Sequence, residues 1–146
     1  MALVSEKIDI IADQSTVFNI YVNQINEWWP RRGAENKYSF APDTTEPDQI
    51  RFDARTGGRY YEIFADGTEH TIGTIQTWDP PNEIVYTWDV AEWPGMSTIT
   101  VRFVASGDTT TVIVEHDGVP EGKEGDGYSA GHKEVLGIFA AFVAGR

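Results

Sequence analysis

Three histidines, His70, His116 and His132, are the side chains of this 146-residue chain best suited to exchange a proton near neutral pH. Their separations match no metal-ligand spacing. The chain has no cysteine, which rules out a disulfide framework, a thiolate nucleophile and a Cys-ligated zinc or iron–sulfur centre. Other signatures fail on spacing. Gly118 and Gly122-Lys123 enclose three residues, lack a following Ser or Thr, and sit beside Glu121 and Glu124, so they do not form a phosphate loop. The glycines at 125, 127 and 131 are wrongly spaced for a dinucleotide fingerprint, and there is no Gly-x-Ser-x-Gly elbow. The scattered Asp and Glu residues offer no acid/base pair. No metal and no organic cofactor is expected, no catalytic residue is assigned, and no reaction is identified.

The elements that would carry the histidines follow from periodicity. Leu3 to Ala12 alternates, with Val4, Glu6, Ile8 and Ile10 on one face, as a strand buried on one side does. Asp13 is placed to cap a helix bearing Val17, Phe18 and Tyr21 and ending near Asn23. A second short helical turn, Ile25 to Trp29, stops at Pro30, because proline disfavours helix in the residue before it. Residues 30–49 show no sustained period and read as a long loop, a lid or rim. Strands and tight turns follow. Arg59 to Ala65 and Glu69 to Trp78 join at Asp66-Gly67, Asp79-Pro-Pro-Asn82 breaks the ladder, and Ile84 to Asp89 resumes it. Ser97 to Ala105 and Thr109 to Asp117 join at Gly107-Asp108, with Ile99, Val101, Phe103 and Val112, Val114, His116 as inner faces. Gly118 to Gly127 reads as a polar loop. From Tyr128 the helical stripe Tyr128, His132, Val135, Leu136, Phe139, Val143 marks an amphipathic final helix required for folding. Strands in series between helical segments make an α+β domain, a single one spanning 1–146.

The net charge of -12 comes from 23 acidic and 11 basic side chains. A field of that sign repels phosphate backbones and anionic bilayers, so neither nucleic acid nor membrane is expected as a partner. Residues 1–7 lack the basic-then-apolar pattern of a signal peptide, and no stretch nears the ~20 apolar residues of a membrane span, so a cytoplasmic location is expected.

Taken in order, several motifs resemble one family. They are Val17-Phe18, Trp28-Trp29-Pro30, Gly57-Gly58-Arg59-Tyr60, Asp66-Gly67, Gly73 and Trp78-Asp-Pro-Pro81. Ile84-Val-Tyr-Thr-Trp88, Val112-Ile-Val-Glu-His116-Asp-Gly118 and a final helix opening near Gly131 complete the set. The pattern is similar to the START-like, helix-grip superfamily, also called SRPBCC. Within it the chain resembles the branch named for activators of the ninety-kilodalton heat-shock chaperone's ATPase. The resemblance implies a curved antiparallel sheet gripping a long C-terminal helix, with two short helices after the first strand and a cavity between sheet and helix. It says little of activity, because fold does not select function. Relatives usually begin the last helix with Gly-Trp, whereas Gly131 is followed here by His132, which replaces an indole by a smaller, titratable ring.

The expected cavity residues are Tyr60, Glu62, Trp88, His116, His132 and Phe139. His116 is read either as a core histidine satisfied by a partner or as a polar anchor on the cavity wall. His132 is read as packing or ligand contact at the cavity mouth, with His116 deeper on the sheet. Periodicity does not choose the inner face of Arg59 to Ala65. The family alignment turns Tyr60, Glu62 and Phe64 inward, while a rim glutamate reaching solvent is the plainer reading of Glu62. Trp28, Trp29, Trp78 and Trp88 read as packing rather than cofactor stacking, Trp88 being the best exception because it ends a cavity-facing strand, and Gly57-Gly58 reads as an unusual turn. The functional expectation is a domain holding a small apolar or amphipathic ligand. The alternative is a protein-interaction domain that regulates a chaperone partner, and a homodimer is left open.

Overall fold

The computed structural model describes residues 2–30, 47–89, 95–119 and 123–146. The elements are β1 (Ala2–Ile10), α1 (Gln14–Asn23), α2 (Ile25–Trp28), β2 (Pro47–Phe52), β3 (Arg59–Phe64), β4 (Glu69–Asp79), β5 (Glu83–Trp88), β6 (Ser97–Ser106), β7 (Thr109–Val119) and α3 (Lys123–Gly145). Among the described residues the strands form one seven-stranded antiparallel sheet in the order β1-β7-β6-β5-β4-β3-β2. The sheet curls into a half-barrel closed by α3, the α+β helix-grip arrangement expected from the sequence.

Local chemistry accounts for the boundaries. Asp13 caps α1, its carboxylate accepting the Thr16 backbone N–H at 3.1 Å and the Thr16 hydroxyl at 2.6 Å. The hydrogen bonds to Thr16 hold its pKa below the ordinary 3.8. The helix-facing side of the sheet is apolar and alternates as strands require: Ile99, Val101 and Phe103 on β6, and Val112 and Val114 on β7, are all buried. Gly57 lies in the left-handed region at φ +83, and a side chain on Gly58 would collide with the Asp53 carbonyl, so this pair makes the turn that leads into β3.

The helix α3 lies against β1 and β7 and reaches α1 and α2. Val135, Leu136, Phe139 and Val143 are buried along its inner stripe. Phe139 meets the rings of Trp28 at 4.7 Å and Tyr21 at 5.3 Å, so α3 is held on one side by the sheet and on the other by the short helices. No helix among the described residues is long and apolar enough to cross a membrane.

Three boundaries differ from the sequence reading. The segment Gly118 to Gly127 is not a continuous loop, because β7 runs to Val119 and α3 starts at Lys123 rather than Tyr128. Glycines at 125 and 127 weaken helix propensity, and the apolar stripe that would signal a helix begins only later. For the same reason Gly131 lies inside α3 and not at its opening. The expected loop over 30–49 is also shorter, because Pro47 to Gln49 belong to edge strand β2; proline is tolerated at the start of such a strand. The lid or rim assigned to that loop falls on residues 31–46, outside the described residues.

Candidate functional site

Strand register brings the polar groups of the inner face together. Trp88 pairs with Ser97 across β5 and β6, and Ile99 pairs with His116 across β6 and β7. Ser97 and Ile99 share a face at a spacing of two, so Ser97 and His116 are diagonal neighbours on adjacent strands. Gly118, at φ +88, allows β7 to pass close above β6: a Cβ there would stand 3.2 Å from the Ser97 Cα. From the opposite side α3 presents His132 on the stripe that faces the sheet.

These residues form a continuous hydrogen-bonded chain. The Ser97 hydroxyl donates to the Trp88 carbonyl at 2.8 Å, and Ser97 Oγ lies 2.8 Å from His116 Nε2. His116 Nδ1 lies 3.0 Å from His132 Nε2. Ser97 and His116 are 0% exposed, whereas His132 is half-buried. Burial, reinforced by the neighbouring His132 ring, lowers His116 to about 3; burial lowers His132 to about 4. At neutral pH both rings are therefore uncharged, each able to donate from one nitrogen and accept at the other.

Aromatic rings surround the chain. Trp88 lies 5.7 Å from His116, and Tyr128 of α3 meets His116 edge-on at 5.7 Å. Tyr60 follows beyond Trp88 at 6.2 Å, stacked on Phe52 at 4.5 Å. Its hydroxyl is fully buried and has no hydrogen-bond partner among the described residues; burial pushes the Tyr60 pKa well above the usual 10.0. Next to it the Tyr86 and Tyr21 hydroxyls lie 3.1 Å apart. Burial raises both, Tyr21 to about 12 against the lowering effect of that hydrogen bond.

Of the six residues expected at a cavity, Tyr60, Trp88, His116 and His132 make one run of ring contacts. Glu62 joins their surface: the strand alternation turns Tyr60, Glu62 and Phe64 inward, and Glu62 is 0% exposed. The plainer reading of Glu62 as a solvent-reaching rim residue is therefore corrected. A twisted sheet curls β3 over the core, so a position that looks peripheral in sequence is enclosed. Glu62 pairs in register with His70 on β4. Phe139 is set apart; its ring contacts are with Tyr21 and Trp28, on the side of the short helices.

Two participants escaped sequence reasoning. Ser97 stood out only as the start of a strand, and its hydroxyl acquires meaning through the diagonal to His116. Tyr128 was visible on the helical stripe but not as a ring packed on His116. Among the described residues no three His, Asp or Glu side chains cluster as metal ligands. A separate open cleft of about 410 Å³, lined by Gln14, Asp79, Asn82, Glu83, Arg102 and Phe103 among others, contains none of the six.

A curled antiparallel sheet closed by a C-terminal helix, with its polar groups on the face between them, defines a START-like helix-grip domain. Residues 12–144 match the family model described as Activator of Hsp90 ATPase homolog 1-like protein, and the chain belongs to that family. No curated protein matches the chain with significance. Among solved structures, protein CV1439 from Chromobacterium violaceum is similar at 21% identity and a TM-score of 0.71, covering 97% of this chain and 96% of that one. PFC0360w, described as an HSP90 activator from Plasmodium falciparum, is similar at 16% identity and a TM-score of 0.64, covering 99% and 97%. Txn09, described as an anthrahydroquino-Gama-pyrone synthase, is similar at 29% identity and a TM-score of 0.61, covering 97% and 96%.

Proposed function

We propose that this chain is a single small-molecule binding domain that holds a flat, largely apolar ligand between the inner face of the sheet and α3. The observation that carries this reading is the Trp88–Ser97–His116–His132 chain, a run of uncharged polar groups set in an aromatic wall. Ligand sites in proteins are mostly apolar with a few placed polar groups, and this surface has that composition. The likeness to Txn09 supports a fused-ring aromatic as the occupant. The other reading, a domain that acts on a chaperone's ATPase, draws on the family description and on PFC0360w, whose 16% identity speaks for the fold alone. His116 and Ser97 are satisfied within the protein, and the half-buried ring of His132 at the end of their chain, on the helix stripe that faces the sheet, favours a ligand between helix and sheet over a surface contact.

Native mass spectrometry of the freshly purified protein, together with titration of 1-hydroxyanthraquinone followed by tryptophan fluorescence, tests this reading. Trp88 borders the site, so saturable quenching is expected, and it should weaken in Trp88→Leu. A protein that carries no small molecule and shows no saturable response would count against the binding reading.

A further inference from the structure

The direction of every hydrogen bond in the buried chain can be worked out from its far end. The Trp88 carbonyl only accepts, so the single Ser97 hydroxyl hydrogen is committed to it. Ser97 Oγ must then accept from His116, which places the His116 hydrogen on Nε2. A neutral ring protonated on Nε2 has its lone pair on Nδ1, so His116 Nδ1 accepts from His132 Nε2–H. His132 is thereby also the Nε2–H tautomer, and its remaining nitrogen, Nδ1, is an acceptor. That nitrogen has no protein hydrogen-bond partner among the described residues, and the ring is only half-buried.

We propose that the ligand presents a hydroxyl group on an apolar frame to Nδ1 of His132, so that the site selects hydrogen-bond donors. This rests on the binding reading above and specifies the chemistry of its ligand. Burial keeps both imidazoles uncharged at neutral pH, which preserves the Nδ1 lone pair and sets up an acceptor rather than a cation. The Tyr60 hydroxyl, fully buried and lacking a partner among the described residues, is a second polar point on the same inner face of the sheet, suited to a carbonyl or ether oxygen of the same molecule. His116 and Ser97 act through His132 and are positioning residues: they fix its tautomer and touch no ligand in this scheme.

Two measurements test the proposal. In wild-type protein with 15N-labelled histidine, the ring shifts should report His116 and His132 both protonated on Nε2. Protonation of His132 on Nδ1 would overturn the proposal. Separately, 2-naphthol should bind about tenfold more tightly than 2-methoxynaphthalene, the value of one hydrogen bond that only the hydroxyl can donate. In His132→Phe, checked for native fold by circular dichroism, that ratio should fall to about one, because phenyl offers no acceptor. If both compounds bind wild-type protein equally, the donor assignment falls and the binding reading stands. If neither binds, both fall together.

Discussion

At the scale of single residues, the burial that makes His116 and His132 useful as neutral groups also makes them sensitive to acid. Their folded pKa values are lowered, to about 3 and about 4, below the ordinary 6.5. The unfolded chain therefore takes up protons between about pH 6.5 and 4 that the folded chain refuses, and stability falls as pH falls through that window. The contribution is fully present above pH 6.5, and each histidine can cost up to roughly 1.4 kcal/mol per pH unit within the window. Asp13 and Asp66, lowered by hydrogen bonds from Thr16 and Thr68, act the same way but only below the ordinary carboxylate value of 3.8. Urea unfolding from pH 7.5 to 4.5 should show the decline, and His132→Phe should flatten it; an unchanged slope in the variant would contradict the assignment. Truncating His116 has a different consequence. His116→Ala leaves the buried Ser97 hydroxyl and His132 Nε2–H short of a partner and should destabilise the protein by about 1–3 kcal/mol at pH 7. Chemical denaturation measures this directly.

At the scale of elements, α3 seals the core by lying against β1 and β7 and reaching α1 and α2. Its inner stripe closes the sheet, and Phe139 links it to α1 and α2 through Tyr21 and Trp28. Phe139→Ala should cost about 3–5 kcal/mol, since a fully buried ring is lost and its neighbours cannot easily collapse into the space. A chain ending before Lys123 should show no cooperative unfolding, because the apolar faces of β1 and β7 would then lie open to water. A sharp thermal transition in that truncated chain would refute this. Phe139 thus belongs to the packing, and the polar half of the inner face is served by the earlier turns of α3 that carry Tyr128 and His132.

At the scale of the whole molecule, the net charge of -12 makes like-charge repulsion the dominant long-range term. The exposed pairs Arg59–Glu69 and Arg102–Glu83 offset little of it, since surface pairs contribute about 0–1 kcal/mol each. Added salt screens both effects, and with 23 acidic side chains against 11 basic ones the repulsion is the larger loss. The melting temperature should therefore rise between about 10 mM and 200 mM NaCl, across which the screening length shrinks several-fold. A fall over that range would mean that the ion pairs outweigh the net charge.

Six of the seven described strands, the capped first helix and the inner faces of β6 and β7 were legible in the sequence, because alternation, capping and turn chemistry are local and repeat within a few residues; the edge strand β2 was not, its first residues falling in the expected loop over 30–49. The stripe through His132 and Phe139 was legible for the same reason. The early start of α3 was not, since glycines at 125 and 127 mask helical periodicity that tertiary packing overrides. Which face of β3 turns inward was also undecidable locally: both Tyr60, Glu62, Phe64 and Tyr61, Ile63 alternate equally well, and only the curl of the sheet buries the first set. The buried hydrogen-bond chain depends entirely on the tertiary structure. Sequence could put His116 on an inner strand face and His132 on a helix stripe. Their 3.0 Å contact, and the serine that orients it, come from the register of three strands and the seating of one helix, which are long-range choices that no local pattern encodes.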